Sequence, residues 1–170
     1  MANNILTIKD KKEEKFLRKK TEDFEFKLSR KEIGELILKM KHTMRDAAGI
    51  GLSANQIGLE WKIFVAEVPD TQGSHKSYAI FNPQIEKFSR GKVGLEEGCL
   101  SIPGVYGTTP RYEKVVLQAQ DKNGKKVKIK AWGLLAHIFQ HETDHLAGKL
   151  YIDTAKKTYK LPESDRLKEK

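Results

Sequence analysis

Cysteine is almost missing from this chain. Cys99 is the only one in 170 residues, so no internal disulfide can form, and the chain suits a reducing compartment. No apolar run reaches the roughly 20 residues that span a bilayer, so no membrane partner is expected. The opening Met1-Ala-Asn-Asn-Ile-Leu6 lacks the basic-then-apolar layout of a secretory signal and the Arg- and Ser-rich look of a transit peptide. Bacterial cytoplasm is the expected location; a bacterium-derived organelle is the alternative if a transit peptide has been removed. Aromatic residues make up only 8%, and none are interleaved with the lysines as a single-strand nucleic-acid binder requires. The net charge of +9 therefore reads as a solvated basic surface, useful near RNA, without a specific nucleic-acid site. Repeats and linkers are absent as well, so residues 1–170 are expected to form one domain.

What is present centres on Leu134-Leu-Ala-His-Ile-Phe-Gln-His141-Glu142-Thr-Asp-His145-Leu-Ala-Gly148. Leu134, Ile138, His141 and His145 recur at helical spacing, and Gly148 suits a helix C-terminus. Within this helix lies His-Glu-x-x-His. Two imidazoles four residues apart stand on one face and can reach one metal ion. Glu142 is rotated off that stripe by roughly 100°, where a carboxylate can take a proton from a metal-activated water without ligating the metal. Two histidines facing a core, each satisfied by its neighbours, would account for the same pattern.

The remaining chain reads as α+β. Residues 1–28 are highly charged and suggest a surface-wrapping segment with one short helix. Ser29 and Glu32 form a capping-box signature. Ile33, Leu36, Ile37, Met40 and Met44 then continue an amphipathic helix toward Gly49. Gly49-Ile50-Gly51-Leu-Ser53-Ala-Asn-Gln56 superficially matches a dinucleotide fingerprint, which needs a strand before it and a helix after it. Here a helix precedes and the strand-like Trp61–Val68 follows, so that reading fails. A glycine loop bearing the polar Gln56 remains. Tyr78–Phe81 suggests a short strand stopped by Asn82-Pro83, and residues 91–107 a glycine-punctuated stretch. Lys114–Gln120 and Lys125–Ala131 flank Asn123-Gly124, a strong hairpin signal. The basic segment 153–170 is expected to be a loosely held tail.

An open catalytic metal site needs a third protein ligand. His137 is eight residues from His145, about 12 Å along the axis, too far to share an ion with it. It joins His42 and His75 as a structural histidine. Cys99, in a loop tied down by Gly98 and Pro103, is the better candidate, and its thiolate would suit Zn²⁺ or Fe²⁺. A small buried hydrophobe is the plainer role of a lone cysteine.

Gly49–Gln56, Glu97-Gly98-Cys99-Leu100-Ser101 and Gln140-His-Glu-Thr-Asp-His-Leu146 together resemble the three motifs of peptide deformylases, in order and at similar spacing. Pro110–Val115 and Gly148–Asp153 extend the likeness, which runs from about Leu17 to Asp153. It implies an α+β domain with antiparallel strands packed around a central metal-binding helix. The implied activity is metal-dependent hydrolysis that removes the formyl group from formyl-methionyl nascent polypeptides and releases formate. It implies Cys99, His141 and His145 as ligands of one divalent metal, Fe²⁺ in the cell and Zn²⁺ or Ni²⁺ in preparations. Glu142 would take the water's proton and deliver it to the departing amine. The oxyanion would be held by the metal, the Gln56 amide and the Leu100 N–H. Gly51, Gly98 and Arg111 would contact the peptide, and Ile50, Leu95, Leu134 and Ile138 would line the methionine pocket.

Three departures stand out. Ser53 replaces the family's usual alanine, the opening segment lacks the proline usually found before Leu17-Arg18, and no long amphipathic helix follows Asp153. The last bears on docking at the ribosome surface. Two other readings fit part of the pattern. A metallopeptidase would take its third ligand from downstream, where Asp153 or Asp165 offers itself. A metal-organised module docking on ribosomal RNA would need no Glu142.

Overall fold

The computed structural model describes residues 4–70 and 73–161. The first helix, α1, spans Lys11–Leu17; Asp10 caps it by accepting from the backbone N–H groups of Lys12 and Glu13. The second, α2, spans Arg30–Asp46 and begins with the expected capping box, Ser29 and Glu32 each accepting from the other's backbone N–H. Such caps are worth roughly 1 kcal/mol. Its apolar stripe, Ile33, Ile37, Met40 and Met44, is buried.

A short strand, β1 (Gly51–Ser53), and a 3₁₀ turn, Ala54–Ile57, occupy the glycine-rich stretch. The strands β2 (Ile63–Pro69), β3 (His75–Phe88), β4 (Lys92–Cys99), β5 (Ile102–Tyr112), β6 (Lys114–Gln120) and β7 (Lys126–Trp132) follow. The central helix α3 is Gly133–Leu146, a 3₁₀ turn covers Tyr151–Asp153, and β8 is Thr158–Lys160. Two antiparallel sheets result, ordered β1-β2-β3-β6-β7 and β4-β5-β8.

The helix α3 packs against β1, β2, β3, β6 and β7 of the large sheet and against β5 of the small one. Ala136, Ile138, Phe139 and Leu146 meet Phe64, Ala66, Ile80 and Leu117 in one core. On the opposite face of β2, Ile63 and Val65 join the α2 stripe, Leu52 and Phe81 in a second core. Strand β2 is buried on both faces, which is why its sequence runs apolar instead of alternating. Each fully buried side chain of this size contributes about 1.5–3 kcal/mol.

Three expectations change. The strand expected at Tyr78–Phe81 continues through Asn82-Pro83 to Phe88. Proline cannot donate to a ladder, and the register shifts between Phe81 and Gln84 to accommodate it. Asn82 turns to φ 49°, and its amide bonds the Phe24 backbone N–H and C=O and the Gln120 side chain. The stretch 91–107, read as glycine-punctuated, forms most of the β4–β5 hairpin. The segment after Asp153 is not loose as far as Leu161, because β8 pairs with Val105–Gly107 of β5; residues 162–170 lie outside the described residues. Asp153 itself is held by Arg18, whose Nη1 donates to both carboxylate oxygens at 2.7–2.8 Å.

The end of α3 depends on one glycine. Gly148 has φ +74°, and a Cβ there would stand 2.3 Å from the Arg18 carbonyl oxygen. Only glycine meets both demands.

Candidate active site

Helical spacing brings His141 and His145 together on α3, with their Nε2 atoms 3.1 Å apart. Cys99, at the end of β4, places Sγ 3.1 Å from His145 Nε2. The three donor atoms lie within 4.8 Å of one another. Ligand atoms about 2.0–2.3 Å from a tetrahedral ion are themselves about 3.3–3.6 Å apart, so this triangle fits a single divalent metal. Two facing imidazole nitrogens and a sulfur form a donor set suited to a divalent transition metal. Only three protein donors converge among the described residues, which leaves a position for water.

The far side of His141 is tied down. Its Nδ1 lies 2.8 Å from Glu97 Oε2, the carboxylate–histidine arrangement that orients a metal-binding ring. Glu97 also accepts from Arg111 Nε at 2.6 Å and Nη2 at 3.1 Å, and His137 Nε2 lies 2.8 Å from its other oxygen. Burial alone would raise its carboxyl, but hydrogen bonds from His137, His141 and Arg111 hold it far below the ordinary range. Burial drives His145 well below the usual histidine value, and the nearby His141 pushes the same way. That keeps its ring neutral and able to ligate.

Glu142 faces β1. Its neighbour there, Gly51, has no room for a side chain: a Cβ would come 2.3 Å from Glu142 Oε1. Burial raises the Glu142 carboxyl above its ordinary value, opposed by the adjacent His141 and by a hydrogen bond from Ser53. A carboxylate of raised affinity for protons, next to three metal donors, is equipped as a general base. On the following 3₁₀ turn the Gln56 carbonyl accepts from the Ser53 N–H at 2.9 Å. This turns the Gln56 amide nitrogen toward Cys99 Sγ, 3.7 Å away, and Ser101 Oγ, 3.1 Å away. Glu142, Gln56, Cys99 and His141 all border a cavity of about 750 Å³.

A model of the polypeptide deformylase family matches residues 2–160. The chain belongs to the polypeptide deformylase family. A deformylase from Symbiobacterium thermophilum is 50% identical over 121 residues, covering 71% of this chain and 54% of that protein. The match thus spans little more than half of that relative's length. A deformylase from Hydrogenovibrio crunogenus is 43% identical over 122 residues, covering 72% of this chain and 70% of that protein. The crystal structure of a probable peptide deformylase from Synechococcus phage S-SSM7 superposes with a TM-score of 0.80 at 37% identity, covering 88% of this chain and 97% of that one. That of a peptide deformylase from Synechococcus elongatus, in complex with actinonin, gives 0.79 at 33%, covering 90% and 78%.

The other residues expected in a deformylase site divide into two groups. Ile50, Gly51, Gly98, Leu100, Leu134 and Ile138 border the cavity. Leu95 and Arg111 do not. Leu95 shares the Glu97 face of β4 but sits about 7 Å further along the strand, beyond the cavity wall. Arg111, expected to touch peptide, is buried at 6% exposure with its guanidinium on Glu97 and, at 2.5 Å, on Asp144. It braces the site from behind. His137, expected to be merely structural, borders the cavity as well as holding Glu97.

Sequence reasoning passed over Glu97 as a support of the site. A signal was available, since Glu97 lies two residues before Cys99 and strand alternation puts both on one face. For Ser53 the sequence offered only a departure from alanine, with no sign of its partner.

Proposed function

We propose that this chain removes the formyl group from nascent polypeptides that begin with formyl-methionine. What supports this reading is the convergence of Cys99, His141 and His145 within 4.8 Å, with Cys99, His141 and Glu142 bordering one cavity. Cys99, His141 and His145 would hold one divalent ion, Fe²⁺ in the cell with Zn²⁺ or Ni²⁺ as alternatives, and it would supply Lewis acidity for the formyl carbonyl and the water. Glu142 takes the attacking water's proton and passes it to the departing amine. The Gln56 amide and the Leu100 N–H donate to the developing oxyanion; loss of such a donor costs about 10²–10³ in rate. Ile50, Leu134 and Ile138 form the apolar wall for the methionine side chain, and the bare backbone at Gly51 and Gly98 lets the peptide main chain approach. The partner is the nascent chain, met near the ribosome in a bacterial cytoplasm. The +9 charge favours that neighbourhood without a specific nucleic-acid site. The chain acts as a single domain.

The test is formate release from a short formyl-methionyl peptide, with Fe²⁺- or Ni²⁺-loaded protein and oxygen excluded. Turnover is expected in the parent, with a loss of about 10²–10⁴ in Glu142→Ala. Actinonin, the compound in the Synechococcus elongatus structure, is expected to block it. Cleavage of an unformylated peptide with formyl-methionine untouched would overturn the reading in favour of a metallopeptidase. Salt-dependent RNA binding without turnover would overturn it in favour of a docking module.

A further inference from the structure

Strand alternation puts Gly51 and Ser53 on one face of β1, toward α3, while Leu52 between them enters the α2 core. Ser53 is fully buried. Its hydroxyl stands 2.6 Å from Glu142 Oε2 and 3.1 Å from the Glu142 backbone oxygen. A hydroxyl has one proton, and the ionised carboxylate at the shorter distance is the stronger acceptor. We infer that Ser53 is a positioning residue for Glu142, its hydroxyl anchoring Oε2 so that Oε1 stays beside Gly51 at the cavity. This rests on the deformylase reading above.

The contact is specific to the side chain. The Ser53 backbone N–H also holds Gln56, but any residue at this position supplies that bond. Only a hydroxyl reaches Glu142. One residue thereby links two groups that must act together, the base through its side chain and the oxyanion donor through its backbone. Without the hydroxyl, Glu142 keeps its burial and its space beside Gly51 but loses the donor that selects one rotamer. Fewer molecules then hold the carboxylate in line with the water, which lowers kcat and leaves peptide binding alone.

The experiment uses the full Ni²⁺-loaded chain and a formyl-methionyl peptide. Ser53→Ala is expected to lower kcat about tenfold, below the hundredfold that a 1 Å misplacement can bring, with KM within about twofold. Ser53→Thr, which keeps the donor, is expected to recover most of that loss. In a Glu142→Ala background, Ser53→Ala is expected to leave the residual rate unchanged. Urea unfolding of the metal-free proteins provides a second readout, a coupling between the two positions of about fivefold or more in the unfolding constant. A Ser53→Ala enzyme that turns over as fast as its parent overturns the positioning role alone, as does zero coupling. A parent that releases no formate overturns the activity and the positioning role with it.

Discussion

Two hairpins of similar construction have opposite interiors. In β6–β7, Val115, Leu117 and Ala119 are buried, and β7 places Lys126, Lys128 and Lys130 on the outer face. In β4–β5 the buried residues include Glu97, Thr109 and Arg111, and Gly94, Gly98 and Gly107 interrupt the strands. Water on one side and hydrocarbon on the other produce the clean alternation of the first. The second is shaped by close approach: a Cβ at Gly98 would stand 2.9 Å from the Tyr106 ring, and one at Gly107 2.8 Å from the Lys157 carbonyl oxygen. Glu97 and Arg111 are paired with one another and with His137, His141 and Asp144 of α3 instead of being replaced by apolar residues. A hairpin that holds up a core announces itself, whereas one that holds up a reaction site does not.

The sharpest break in this comparison comes at Cys99. Cys99→Ala is expected to abolish stoichiometric metal binding and all detectable formate release, whereas Lys128→Ala on β7 changes neither; metal content by atomic absorption checks both. Glu97 comes next. Removing it leaves the buried Arg111 with Asp144 as its remaining ion-pair partner, so Glu97→Gln is expected to cost about 3 kcal/mol in urea unfolding. Glu86, paired with Lys128 across the exposed face, is expected to cost under about 1 kcal/mol when replaced by Gln.

The acid limb of stability sharpens the same contrast. The Glu97 carboxyl is held below its ordinary 4.5 in the folded chain. Its contribution is therefore fully present above that pH and is lost as pH falls below it. Urea midpoints of the metal-free parent are expected to drop steeply below about pH 4.5, and Glu97→Gln to flatten that decline. The smallest effect is expected from Lys126→Ala and Lys130→Ala, within about 0.5 kcal/mol, because both ammonium groups stand in water; thermal unfolding checks it.

Much of the fold could be read from neighbouring residues. Helical period marked α2 and α3, Ser29 and Glu32 marked a helix start, and Asn123-Gly124 marked a turn. Each signal lies within a few residues of the structure it specifies. His141, Glu142 and His145 were legible for the same reason, since one helix carries all three. The β4–β5 hairpin was harder to see because its glycines serve contacts with Tyr106 and Lys157. The strand running through Pro83 was masked by a residue that usually ends one.

The sequence by itself determined the two-histidine face, the glutamate beside it, the α+β class and the hairpin at Asn123-Gly124, all consequences of local spacing and backbone preference. Tertiary structure alone decided that Glu97 would gather Arg111, His137 and His141, and that Arg111 would turn inward. It also decided that Ser53 would meet Glu142, a residue 89 positions away. Those pairings depend on which buried groups lack water and must find one another, and that is known only once the sheets have closed around α3.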